Sequence, residues 1–205
     1  LKEIMTSFTD TLCSGSHDLL EAVRPYIRPQ GVEALPASCM IVCADVTSLY
    51  PSIPIDFGLS VIKALVERHL SYTLNKKDQS FILRLLEWVL RNNYFSFEDK
   101  VYLQLQGTAM GTPVAVVYAQ LVLTVHDRKC LDTHSPLVYK RYIDDLFIIV
   151  NQDDKNLNPS AITDTFNSLH PSLQLSAITV GLSGVFLDFE FHLKPSTSYP
   201  DEFDL

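Results

Sequence analysis

The sequence is short of cations. Sixteen Lys and Arg stand against 24 Asp and Glu, a formal net charge of −8 over 205 residues. A surface of that sign repels phosphate backbones, so charge argues against a free-standing nucleic-acid binder, or places the basic tracks outside this stretch. Cysteine is scarce as well. Cys13, Cys39, Cys43 and Cys130 show no Cys-x-x-Cys spacing, which excludes a zinc ribbon and leaves buried thiols in a reducing compartment. The six His are scattered without ligand spacing. No apolar run approaches the roughly 20 residues that span a bilayer, and Leu1 opens no secretory signal pattern. With 7 Gly, no internal repeat and no low-complexity segment, the chain does not read as disordered.

What is present is apolar content: 47% of residues, in a chain long enough to bury a sizeable core as one domain with an appendage. The first residue is not Met, so a fragment of a longer protein is expected. The stretch that organises the rest is Tyr139-Lys140-Arg141-Tyr142-Ile143-Asp144-Asp145-Leu146-Phe147-Ile148-Ile149-Val150. It predicts a strand, a tight turn and a strongly apolar second strand, with two carboxylates at the bend. An Asp-Asp pair alone means little, because acids favour turns. Its setting between apolar strands gives it weight, since a tip held still is what a metal-ligand carboxylate needs.

Upstream, Met40 to Ala44 is a near-continuous apolar run, the pattern of a central strand covered on both faces, and it delivers Asp45 at its carboxyl end. Ser16 predicts the cap of a short helix from His17 to Ile27, interrupted near Pro25. Asp56 predicts the cap of a helix to about His69, with Ile62, Leu65, Val66 and His69 on one face. Asn75 predicts the cap of another to about Arg91, with Ile82, Leu85, Leu86, Val89 and Leu90 inward. His69 and Trp88 read as packing residues. Asn93 to Phe97 and Val101 to Leu105 form a predicted hairpin. A Gly-rich loop, Gln106 to Pro113, leads into a helix to about Lys129. Asn158 and Pro159 open a helix to about Leu169, and two last strands cover Leu173 to Thr179 and Val185 to Leu193. The order predicts an α+β fold, a mainly antiparallel sheet with helices packed on one face.

If the strands bearing Asp45 and Asp144-Asp145 pair, three carboxylates converge, and they repel one another unless a divalent cation sits between them. Oxygen ligands without His or Cys suit Mg²⁺ or Mn²⁺. Two such ions about 3.5–4 Å apart would clamp the attacking and leaving oxygens of a phosphoryl displacement. The Gly107 to Thr112 loop could let backbone approach a nucleotide closely, or be a plain turn before a helix.

Three stretches carry a resemblance. Asp45-Val46-Thr47-Ser48-Leu49-Tyr50-Pro51-Ser52-Ile53-Pro54, Gln106-Gly107-Thr108-Ala109-Met110-Gly111-Thr112 and Arg141-Tyr142-Ile143-Asp144-Asp145 resemble motifs A, B and C of the reverse-transcriptase palm. The wording is closest to the Penelope-like retroelements. Leu90 to Phe97 and Val185-Phe186-Leu187-Asp188 are similar to the same family, so that the likeness runs from about Asp18 to Pro195. It implies an RNA-directed DNA polymerase in which Asp45 and Asp144 bind both catalytic metals, with Asp145 assisting. Tyr50 falls at the family's aromatic steric gate, where a ring crowds a ribose 2′-hydroxyl and favours deoxynucleotides. Gln106 and Gly107 fall where motif B lines the nucleotide and template pocket. Phe186, Leu187 and Asp188 stand at the primer grip, and Lys194 at a basic position. The implied partners are an RNA template, a DNA primer and dNTPs, with no membrane, in a nuclear or cytoplasmic setting.

The departures from the family are specific. No arginine sits in the context of its triphosphate-binding fingers residues; Arg24-Pro25-Tyr26-Ile27 and Arg28-Pro29 do not match. Fingers are expected to be partial and the thumb absent, with the missing parts in a longer parent chain, and these 205 residues contain no GIY-YIG nuclease module. The expected division is an N-terminal helical segment with the first palm strand over 1–44, the palm over 45–194 and a tail over 195–205. The acidic charge and reduced fingers keep a second reading open, a co-opted palm serving as a non-catalytic interaction scaffold. An RNA-dependent RNA polymerase or a nucleotidyl cyclase would share the metals, but Tyr50 and the Tyr-Ile-Asp-Asp tip argue against both.

Overall fold

The computed structural model describes residues 1–26, 35–36, 38–153, 159–195 and 202–204. The chain forms two compact units: Leu1–Thr9 with Ser48–Val125, and Asp10–Thr47 with His126–Leu205. Each unit joins two separated stretches.

The second unit is built on a four-stranded antiparallel sheet in the order Val138–Tyr142, Asp145–Asn151, Cys39–Val46, Leu175–Gly181. In the two inner strands Ile41 lies opposite Ile149 and Asp45 opposite Asp145. Leu146 to Val150 are each no more than 1% exposed. Successive strand residues point to opposite faces, so such a run needs cover on both. On one face Ile41, Phe147 and Ile149 pack with Leu19 and Val23 of the helix Ser16–Val23 and with Phe186 and Phe191 of a small hairpin. On the other, Tyr139 and Arg141 reach Asp127, on the helix Ala115–His134. Helices therefore meet both faces, not one as expected, because the apolar run leaves the sheet no solvent side.

The outer edge of Val138–Tyr142 is closed by a bridge from Leu12 to Arg141. The Arg141 N–H donates to the Thr11 carbonyl and the Cys13 N–H to the Arg141 carbonyl, each at 2.8 Å. An edge so occupied cannot recruit another strand. The expected last strand from Val185 is instead the hairpin Ser183–Phe186 and Phe189–His192, turning at Leu187 with φ +52°. Gly184 lets that hairpin lie on the central strand, since a Cβ there would stand 2.6 Å from Ile41 Cγ2 and 2.7 Å from Cys43 Sγ. Within the stretch read as a tail, Glu202–Asp204 is a strand between Leu35–Pro36 and Lys194–Pro195.

In the first unit the helices Ile55–His69 and Lys76–Arg91 pack together. Asn75 caps the second as expected, its side chain accepting from the N–H groups of Lys77 and Asp78 at 2.9 and 3.0 Å. Asp56 does not cap the first. Pro54 holds that position, and the Asp56 carboxylate pairs with Arg91 instead. Likewise Ser16 begins its helix rather than capping it, Gly15 being the cap; the helix ends at Val23, and Ile27 lies outside the described residues. Ile62, Leu65 and Val66 are buried and His69 packs on Phe8, ring centroids 5.5 Å apart. Leu86 and Leu90 point inward, whereas Leu85 and Trp88 are 51% and 64% exposed. The hairpin Tyr94–Phe97 and Lys100–Leu103 forms as expected, with every residue exposed. The helix opened by Pro159 ends at Ser168, and Asn158 lies outside the described residues. Among the described residues no helix is long and apolar enough to cross a membrane.

Candidate active site

The sheet register decides which carboxylates meet. Asp45, next to last in the central strand, lies directly across from Asp145, the first residue of its neighbour, so both share the face that carries Cys43 and Phe147. Asp144 belongs to the turn between Tyr142 and Asp145, and its carbonyl accepts the Val46 N–H at 3.0 Å, tying the turn to the end of the central strand. Ile143, which starts that turn, has φ +56°. A β-branched residue in left-handed backbone is a real outlier, costing about 1–2 kcal/mol, and persists only where the surroundings hold it.

The three aspartates are half-buried, and among the described residues no hydrogen bond or ion pair reaches their carboxylates. Burial raises the Asp45 carboxyl above the ordinary aspartate range, and the charges of Asp144 and Asp145 raise it further. Burial likewise raises Asp145, with Asp144 adding to it. Two carboxyls pushed up by burial first, and by neighbours of their own sign after it, are held where ionisation is disfavoured. Asp45 and Asp145 open onto a cleft of about 540 Å³ whose walls include Cys43, Thr179, Gly184 and Glu190. The Cys43 thiol is raised to about 11 by burial first and is inert at neutral pH. Among the described residues no three His, Cys, Asp or Glu groups converge as a ready-made metal cage. The donor chemistry nonetheless fits a hard cation: carboxylate oxygens facing an open cleft, beside a Cys43 thiol that burial keeps protonated.

Phe186 also stands in the wall of this cleft, but its ring is 2% exposed and lies edge-on to Phe147 at 5.8 Å. That side chain is engaged in packing. Leu187, half-buried, and Asp188, exposed, form the hairpin's turn and leave accessible groups there.

In the other unit the structure brings Tyr50, Gln106 and Gly107 together. Tyr50 lies half-buried in the single helical turn Leu49–Ser52. The Thr108 N–H donates to the Tyr50 carbonyl at 2.9 Å and the Gly107 N–H to the Ile53 carbonyl at 3.1 Å. A Cβ on Gly107 would meet Pro51 Cα and the Tyr50 carbonyl oxygen at 2.5 Å, and its φ is +76°. The close backbone approach read from this glycine is thus made to the Tyr50–Pro51 backbone. Gln106 is exposed beside it, its carbonyl accepting from the Gln104 amide at 2.8 Å.

Residues without a predicted role complete the second unit's site. Asp127 and Arg141 form a fully buried ion pair next to the Asp144 turn. The signal was legible: Arg141 follows Tyr139 by two and so shares its buried face of the strand, and Asp127 interrupts the apolar stripe of a helix. A charge at a core position needs a partner.

No protein-family model matches the chain, and no curated protein matches it. Among solved structures it is similar to telomerase from Candida albicans in complex with the TWJ fragment of telomeric RNA. Identity there is 14% and TM-score 0.66, over 91% of this chain and 35% of that one. It is similar too to apo telomerase from Candida tropicalis truncated from its C-terminal domain, at 12% identity and TM-score 0.67, covering 89% of this chain and 39% of the other. A further apo telomerase structure from Candida tropicalis gives 10% identity and TM-score 0.66, over 90% and 36%. The chain spans little more than a third of the length of those proteins. At such identities the likeness is one of fold alone: the chain shares the fold of part of those telomerase structures.

Proposed function

We propose that the chain is the palm of an RNA-directed DNA polymerase from a Penelope-like retroelement, transferring nucleotides from dNTPs to the 3′-hydroxyl of a DNA primer on an RNA template. The observation that carries this reading is the strand register placing Asp45 opposite Asp145, beside the Asp144 turn, where burial and their like charges raise both carboxyls. The telomerase-like fold and the three motifs in order support it.

Asp45, Asp144 and Asp145 would hold two Mg²⁺ or Mn²⁺ ions. Mg²⁺ is commonly bound through one or two carboxylates, with water and substrate phosphates completing its octahedron, so a three-ligand protein cage is not required. When bound, the ions would neutralise the negative charge that develops on the transferring phosphoryl group. The protein's own part is to fix the carboxylates at the sheet end and, through the Leu187–Asp188 turn, to support the primer. Tyr50 would exclude the ribose 2′-hydroxyl, and Gln106 and Gly107 would shape the nucleotide pocket. Lys194 stands as a basic contact, and the remaining polymerase parts belong to a longer parent chain.

Primer extension on an RNA template with Mg²⁺ or Mn²⁺ tests this, comparing the chain with Asp144→Ala and Asp45→Asn. Extension by the wild type, lost in both variants while their circular dichroism is unchanged, is the expected result. Tyr50→Ala should then admit ribonucleotides. Equal extension by Asp144→Ala would sink the metal assignment. Failure by all, repeated in the longer parent chain, would favour a co-opted palm acting as a non-catalytic scaffold, a reading with which the net charge of −8 agrees.

A further inference from the structure

The buried charges nearest the carboxylate turn have no part in the reading above. Arg141 and Asp127 are both 0% exposed. The guanidinium straddles the carboxylate: Nε donates to Oδ1 at 3.0 Å and Oδ2 at 3.1 Å, and Nη2 to Oδ2 at 2.6 Å. Tyr139 donates its hydroxyl to the same Oδ1 at 2.9 Å. An ion pair this deep gives a fold little stability that a well-packed apolar pair would not give. What an apolar pair could not do is use the remaining nitrogen, Nη1. Arg141 Nη1 donates to the Ile143 carbonyl at 2.6 Å, and Ile143 is the left-handed residue that leads into Asp144. The backbone of Arg141 is itself fixed by Thr11 and Cys13.

We propose that Arg141, locked by Asp127 and Tyr139, is a positioning residue that grips the Ile143 carbonyl, maintains the strained turn and so fixes where Asp144 and Asp145 stand. Three anchors hold the fork: a two-oxygen carboxylate, its own backbone, and the carbonyl it holds. Lysine could not replace it, because one ammonium lacks the planar fork that serves a carboxylate and a carbonyl together. The consequence for catalysis rests on the polymerase reading; the hold on the turn does not.

The test uses the full chain as wild type, as Arg141→Lys, and as the double variant Asp127→Leu with Arg141→Met, which removes both charges and orphans neither. Fold is read by circular dichroism and thermal melting, the turn by the ¹³Cα and ¹³Cβ shifts of Ile143, and the carboxylates by Mn²⁺ titration. In folded variants the Ile143 shifts should leave the left-handed range and Mn²⁺ should bind about 10- to 100-fold more weakly, the usual loss when a group that orients a ligand is removed. Unchanged Ile143 shifts in folded Arg141→Lys would overturn the proposal, since the turn would then hold itself. Unfolding of Arg141→Lys, which keeps a buried charge pair, would also overturn it and make the network a matter of stability alone. If the variants release the turn but the wild type neither binds Mn²⁺ nor extends a primer, the polymerase reading falls and the positioning role of Arg141 stands.

Discussion

Of the motif positions with left-handed backbone, Gly107 and Ile143 secure it in opposite ways. At Gly107, φ is +76° and the space where a side chain would begin is filled by the backbone of Tyr50 and Pro51. Glycine is there because nothing else fits. At Ile143, φ is +56° although the residue is β-branched, and the strain is held by the Arg141 guanidinium on its carbonyl and by the Val46 N–H on the next one. The first bend is permitted by the absence of a side chain; the second is imposed by its surroundings. Strain kept in place by a buried network is what a site needs when ligand groups must not wander. A glycine bend against backbone secures only that two loops stay in register.

The contrast makes its largest prediction at Gly107. Replacement by Ala forces a Cβ against backbone atoms that cannot rotate away and adds the left-handed penalty, so urea denaturation should show a loss of about 2–4 kcal/mol. Gly111 is the control. Its φ is +92°, but a Cβ there meets nothing within 4 Å, so Gly111→Ala should lose only about 1–2 kcal/mol. Equal losses at the two sites would mean that the Tyr50–Pro51 contact adds nothing.

Ile143→Gly should behave differently from either. Removing the Cβ relieves the left-handed strain, while the unfolded chain gains freedom, and the two effects oppose each other. Stability should stay within about 1 kcal/mol of wild type, yet hydrogen exchange at the turn should quicken, because the bend no longer has one preferred shape. A loss well beyond that size would show that the isoleucine side chain, rather than the network beneath the turn, anchors the bend.

These bends also mark what could be read from the letters. The unbroken run from Leu146 to Val150 announced a strongly apolar strand, and the sheet gives it cover on both sides. Asn75 announced a cap because its amide has no better local partner, and it caps. Asp56 looked the same but pairs with Arg91, a residue distant in sequence, and local pattern does not register such competition. Trp88 and Leu85 satisfied a helical stripe yet remain exposed, because periodicity names a face without naming what covers it. For the candidate site, the three aspartates were legible as types and spacing. That Asp145, not Asp144, stands opposite Asp45 is a matter of register, which only the paired strands reveal. Phe186 was chosen by position in a motif and lies in the core, since an aromatic beside a cleft serves packing before it serves a substrate.

The smallest effect concerns the charge that the carboxylate turn leaves uncompensated. The Asp45 carboxyl is raised in the folded state, so between its unfolded and folded values the fold binds more protons than the unfolded chain. Stability from this group is therefore fully present below the usual aspartate value of about 3.9 and is lost as pH rises through the raised value. Asp145 is shifted in the same direction and acts in the same sense. Asp18 is lowered by its hydrogen bonds from Ser14 and acts oppositely, so the comparison must be between wild type and variant at each pH rather than along one curve. Without divalent cations, Asp45→Asn should match the wild type near pH 3.5 and exceed it at pH 7, by a Tm difference on the order of 2 °C. Adding Mn²⁺ at pH 7 should raise the wild type more than the variant, because a cation does for the carboxylates what the amide does by removing one of them. A gap that is the same at both pH values would mean that Asp45 is already compensated, and the turn held by Arg141 would then be holding carboxylates that do not repel.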